Sequence, residues 1–132
     1  MAQTESTEKK LIKISGDTVE VLAELDDSGT AQNIWEALPT QVSANLWGDE
    51  IYFELSIECD RDNLKEVVEL GDIGYWEPGD AMCLFFGPTP ASRGNEIRPA
   101  SKVQVFGKIV GDSTVLKRIC QSETLTLERV EN

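Results

Sequence analysis

The chain has 132 residues and a formal charge of −12, from 24 Asp and Glu against 12 Lys and Arg; this is the length of one domain and a poor match to a phosphate backbone or an anionic lipid surface. It contains no His, which excludes Ser-His-Asp and Cys-His catalysis, His-ligated metals and a histidine pH switch. Apolar residues make up 40% of the chain, and no block consists of charge alone, so the body is expected to fold around a core.

Met1–Lys10 is polar and reads as a tail, leaving residues 11–132 as a single domain. From Leu11 the pattern has period two. Ile12 and Ile14, then Val19, Val21, Ala23 and Leu25, alternate with polar residues around Gly16-Asp17, which predicts a β-hairpin with one buried face. Thr30 is the expected cap of a short helix carrying Ala31, Ile34, Trp35 and Leu38 on one stripe, stopped by Pro39.

Gly48-Asp49 has the chemistry of a two-residue hairpin turn. That turn fixes a register in which Leu46 opposes Ile51, Ala44 opposes Phe53 and Val42 opposes Leu55, all on one face. The other face then carries Trp47 with Glu50, Asn45 with Tyr52, and Ser43 with Glu54. Aromatic and polar side chains on one surface can form a ligand platform; alternatively, they are an ordinary solvated face whose aromatics cover apolar edges.

Residues 65–70 are expected to be extended. Ile73-Gly74-Tyr75-Trp76 follows, and Pro78-Gly79 reads as a type II turn. The turn leads into Ala81-Met82-Cys83-Leu84-Phe85-Phe86, which is apolar on both alternations and so predicts a strand covered on both faces. Gly87 to Ser101 is fifteen residues without periodicity, a length at which loops are usually functional or disordered. A strand over 102–110, a short helix capped by Asp112 or Ser113 and running to Ile119, and a last strand over 124–128 complete the chain. Many strands and two short helices indicate a mainly β domain, and the pattern leaves barrel and sandwich both open.

Three ordered stretches carry a family resemblance: Leu46-Trp47-Gly48-Asp49-Glu50-Ile51-Tyr52-Phe53, Gly71 to Gly79, and Leu84 to Ser92. Together they resemble a small prokaryotic cyclophilin-like family of uncharacterised single-domain proteins, over about Leu11 to Arg129. The resemblance implies a closed, roughly eight-stranded cyclophilin-like β-barrel with a helix at each end, and no known activity. Val103-Gln104-Val105-Phe106-Gly107-Lys108-Ile109-Val110 is also similar to a strand of the prolyl isomerases. Their catalytic residues do not carry over: the histidine position falls at about Val103, the strand that carries their arginine corresponds to Val42–Trp47 and has none, and their glutamine falls near Glu54.

The remaining chemistry is sparse. Glu50 and Glu54 share a face but lie about 13 Å apart along the strand, beyond the roughly 5–9.5 Å over which two carboxylates flank a glycosidic bond. No phosphate-binding glycine loop and no nucleophile elbow is present. Arg93 and Arg98, with Thr89, Ser92, Asn95 and Ser101, form a set that could hold an anion or could pair with neighbouring acids. Cys59, Cys83 and Cys120 are odd in number and lack C-x-x-C spacing, and no leader pattern precedes them, so a reduced cytoplasmic protein is expected.

The sequence thus predicts a binding module for a small molecule or peptide, its groove formed by Asn45, Trp47, Glu50, Tyr52, Glu54, Phe85, Phe86, Ser92 and Arg98. No catalytic residue, metal or cofactor is expected, nor a nucleic-acid or membrane partner, and the chain is expected to be a monomer or weak homo-oligomer. The alternative reading is a divergent prolyl isomerase.

Overall fold

The computed structural model describes residues 10–130. The tail expected over Met1–Lys10 lies outside them except for Lys10, which opens the first strand. The strands are β1 (Lys10–Ser15), β2 (Glu20–Leu25), β3 (Thr40–Ser43), β4 (Asn45–Leu46), β5 (Glu50–Glu54), β6 (Leu64–Lys65), β7 (Asp72–Trp76), β8 (Ala81–Phe85), β9 (Val103–Val110) and β10 (Thr124–Arg129). Nine of them run in the order β3-β10-β1-β2-β9-β7-β8-β5-β4, and β6 adds to β9. Thr40 to Leu46 pairs first with β10 and then with β5, so one continuous segment supplies both ends of the sheet. It wraps the sheet into a nearly closed barrel.

The alternation read from β1 and β2 sets the interior. Ile12 opposes Ala23 and Ile14 opposes Val21, and all four are buried with Phe53, Ile73, Tyr75, Met82, Leu84, Phe106, Leu125 and Leu127. Removing this apolar surface from water is the main favourable contribution to folding. The helix α1 (Gly29–Glu36) lays Ala31 and Ile34 against that interior. Its cap is Ser28, whose hydroxyl accepts from the Ala31 N–H at 3.1 Å. The expected cap, Thr30, is instead buried, accepting from the Asp60 N–H at 2.7 Å and donating to the Gln104 side chain. A buried hydroxyl with two partners is satisfied there, leaving the cap to the more exposed serine.

The hairpin at Gly48-Asp49 has the predicted register, Asn45 opposite Tyr52 and Leu46 opposite Ile51; Gly48 takes the positive φ of 63° that the turn demands. Leu46 does not enter the core as expected and is 38% exposed, because β4 is the last strand of the sheet and has no neighbouring strand at that position to cover it. Pro78-Gly79 is part of a single 3₁₀ turn, Glu77–Gly79, and the left-handed residue is Asp80. The segment expected to be extended over 65–70 pairs only at Leu64–Lys65, with one further bridge from Val68 to Ile97. The second short helix is a 3₁₀ helix, Ser113–Arg118, capped by Asp112.

Strand β8 is buried along its whole length, as its two-sided apolar pattern predicts. Met82, Leu84 and the following Phe86 face the barrel interior. Cys83 and Phe85 point outward into a second cluster with Val68, Ile97 and Val103, flanked by Tyr52, Trp76 and Val105. That outer cluster exists because two segments without long strands, 64–70 and 87–102, cross the outside of the sheet.

Candidate functional site

The outer cluster is incomplete at one place. Between Trp47 on the hairpin, Glu50 and Tyr52 on β5, Trp76 on β7 and Cys83 on β8 lies a cavity of about 220 Å³, with Val103 of β9 and the Pro99-Ala100 stretch of the long loop completing its lining. Strand register explains the grouping. Tyr52 opposes Cys83, Gly74 opposes Cys83 from the other side, and Trp76 opposes Ala81, so small or short side chains alternate with large aromatic ones. Gly74 is required at its position, since a Cβ there would meet Val103 Cγ2 at 2.9 Å. The indole of Trp76 lies on Gly79, where a Cβ would meet its Cζ3 at 2.6 Å, and its Nε1 donates to Ser101 Oγ at 2.6 Å.

Glu50 is the unusual member. It is only 5% exposed, and its Oε1 is buried with no hydrogen-bond partner. A buried carboxylate with one oxygen unpartnered and no cation beside it is penalised heavily relative to its neutral form. Burial accordingly raises the Glu50 carboxyl from 4.5 to about 7, and the neighbouring Cys83 thiol offsets only part of that rise. The Cys83 thiol is itself pushed well up, first by burial and then by the charge of Glu50, which keeps it protonated and unreactive. The site therefore holds an acid that exchanges its proton near neutrality, walled by aromatic rings.

The loop over it is pinned rather than loose. Ser92 Oγ accepts from the N–H groups of Thr89 at 2.9 Å and Arg98 at 3.0 Å. Thr89 Oγ1 donates to the Arg98 carbonyl and accepts from the Ala91 N–H at 3.2 Å. The Val68 N–H donates to the Ile97 carbonyl at 2.9 Å, and the Asp49 N–H donates to the Pro88 carbonyl at 2.9 Å. The aperiodic loop thus finds partners for several of its backbone groups in its own hydroxyls, in the hairpin tip and in Val68.

Two wider concavities adjoin the cavity. One of about 470 Å³ shares Tyr52 and Trp76 with it and is lined also by Asn45, Glu54 and Gln41. The other, about 570 Å³, shares Pro99 and Ala100 and includes Tyr75, Arg98, Lys102 and Gln104. The predicted residues therefore separate into groups. Trp47, Glu50 and Tyr52 meet in the small cavity. Asn45 and Glu54 lie in the first neighbour, where Asn45 accepts from the Gln121 side chain at 3.0 Å. Arg98 borders the second.

The rest lie away from any opening. Phe85 is fully buried beneath the loop and Phe86 belongs to the barrel interior. Ser92 is a staple within the loop. Arg98 Nε donates to Glu96 Oε2 at 2.7 Å, and this hydrogen bond holds the Glu96 carboxyl below its ordinary range, so the anion beside Arg98 is one the chain itself supplies. Arg93 is exposed, and its backbone N–H donates to the same Glu96 carboxylate at 3.1 Å. Sequence reasoning missed Trp76, Cys83, Val103, Pro99 and Ala100. The period-two alternation of β7 was a usable signal for Trp76, since it places that ring on the face opposite Tyr75.

Among the described residues, no group of three or more His, Cys, Asp or Glu side chains is placed to hold a metal ion. No helix among them is long and apolar enough to cross a membrane.

A family model described as cyclophilin-like matches residues 10–128. The solution structure of a hypothetical protein from Archaeoglobus fulgidus is similar to this one with a TM-score of 0.78; the two sequences are 43% identical, and the match covers 92% of this chain and 95% of that one. Among proteins with curated descriptions, none matches the chain.

Proposed function

The chain belongs to the cyclophilin-like family, and from that premise we propose that it is a small-molecule binding module that takes its ligand into the cavity between Trp47, Glu50, Tyr52 and Trp76, without prolyl isomerase activity. The observation that carries this reading is Glu50: a carboxyl group 5% exposed, with an unpartnered oxygen, in the lining of an open cavity. A fold retains such a group at a cost to stability, and an unsatisfied polar group beside an aromatic-walled concavity is the usual form of a recognition site. At about 220 Å³ the cavity is below the roughly 300–1,000 Å³ of pockets for drug-sized ligands, so it suits a small ligand or the head of a larger one extending into a neighbouring concavity.

Against isomerisation stands the lining itself. An isomerase needs a cationic donor beside the prolyl nitrogen, and among the described residues no Lys or Arg lines this cavity. Val103, at the position where resemblance to the isomerases puts their histidine, is an apolar lining residue.

A fragment screen followed by NMR should shift the Trp47 and Trp76 indole resonances together with the amides of β5 and residues 99–103; hits that map consistently elsewhere would overturn the site. A proline-peptide isomerisation assay should show no rate above background, and catalysis at levels typical of authentic cyclophilins would overturn the second half of the reading.

A further inference from the structure

We propose that the ligand of this cavity is an organic cation, an alkylammonium group boxed by the rings of Trp47, Tyr52 and Trp76 and neutralised by Glu50. The inference rests on the binding reading above and adds the chemical class. Three aromatic side chains and one carboxylate around a space of about 220 Å³ are the two components that recognise quaternary and methylated ammonium ions: ring faces carry negative quadrupole potential, and the acid supplies the counter-charge. The volume equals that of roughly seven waters at about 30 Å³ each, enough for a compact head group and little more.

Charge selects the sign. An anion would meet a buried carboxylate and no cationic side chain in the lining. A neutral ligand would leave the Glu50 carboxylate uncompensated whenever it ionises. The basic side chains nearby are engaged elsewhere: Arg98 with Glu96 at 2.7 Å, Lys102 with Glu66 at 4.0 Å, and Lys108 with Asp72 at 3.2 Å. None of them lines the cavity, so a cationic ligand has no internal competitor for Glu50. A net charge of −12 also raises the local concentration of cations and speeds their encounter.

Binding then displaces a proton. The groups facing Glu50 are Cys83 from β8, held as a neutral thiol, Tyr52 from its own strand, and the uncharged Trp47, Trp76, Val103, Pro99 and Ala100; Asp49, the preceding residue, packs against Gly87 instead. An incoming permanent cation favours the ionised carboxylate, so affinity should rise with pH up to the neutral range and level off above it.

The test uses choline and its uncharged carbon isostere, in which a quaternary carbon replaces the nitrogen, titrated into the intact protein while indole fluorescence and NMR shifts are read. Choline should perturb Trp47 and Trp76 and bind at least about tenfold more tightly than the isostere at pH 8, and about tenfold more weakly at pH 6 than at pH 8, while the isostere stays flat. Glu50→Gln, which keeps the shape of the side chain, should erase both the preference and the pH dependence. Equal affinity for the two probes, or no perturbation by choline, overturns the cation assignment. If neutral fragments still map to the cavity in that case, the binding reading stands and only the ligand class falls; if nothing maps there, both fall. The wild-type pH series needs no variant, so poor folding of Glu50→Gln would not remove the test.

Discussion

Asp72 and Glu50 are two buried acids of one sheet, 9% and 5% exposed, and their surroundings are opposite. Asp72, at the start of β7, accepts from Lys108 at 3.2 Å and from the Glu69 N–H at 2.8 Å. Glu50, at the start of β5, has a buried oxygen with no partner and is covered by apolar and aromatic groups. The first arrangement is what a fold does with a carboxylate it needs for structure: it supplies a cation and a backbone donor so that the charged form is stabilised. The second leaves the charge uncompensated, which is destabilising unless something else provides the compensation. The contrast is why the proposed site is placed at Glu50 and not at Asp72.

The largest test of the contrast is the pH dependence of stability. Because the folded-state value of Glu50 is raised from 4.5 to about 7, its contribution is fully present below pH 4.5 and is lost as pH rises through 7. The loss is on the order of 3 kcal/mol at 1.36 kcal/mol per unit. Denaturant unfolding of the wild type and of Glu50→Gln at pH 5, 6, 7 and 8 should show the variant gaining on the wild type up to about pH 7 and no further; a constant difference would refute the shift.

A somewhat smaller effect should follow from making Asp72 resemble Glu50. Lys108→Met removes its cation and should destabilise by about 1–3 kcal/mol at pH 7, measured by the same unfolding curves. The same penalty in an Asp72→Asn background would show that the lysine acts through its aliphatic stem alone.

The smallest effect sharpens the comparison from the other side. Ser92→Ala deprives the Thr89 and Arg98 N–H groups of their acceptor and should lower stability by about 1–2 kcal/mol. By loosening the Pro99-Ala100 cover it should also let water reach Glu50 and bring its carboxyl back toward its ordinary value, read from the side-chain carbon shift during an NMR titration. An unchanged titration would mean that the barrel wall, not the loop, keeps Glu50 dry.

The hairpin at Gly48-Asp49 and its register were legible because a two-residue turn fixes pairing locally. The two-sided burial of β8 was legible because both of its alternations are apolar. What was not legible is what covers what. Glu50 looks from its own strand like a solvated residue facing Trp47, and its cover comes from distant residues, Trp76, Cys83, Val103 and the aperiodic Pro99-Ala100. Ser92 and Arg98 have the chemistry of ligand donors, yet the loop uses the serine to satisfy its own backbone and Glu96 occupies the arginine. Leu46 alternates as a core residue and is exposed because the strand it belongs to ends the sheet. In each case a local pattern was correct about direction and silent about the neighbour.

The position of β10 has a consequence in time. It lies between β1 and β3, with Leu127 opposite both Ile14 and Thr40, and two of the sheet's ladders depend on this strand. A polypeptide emerging from a ribosome can form the β1–β2 hairpin early, but the seam joining its beginning to the wall that bears Glu50 cannot close until residue 129 is free. A chain halted before Thr124 would present β1 as an open edge able to pair with another chain.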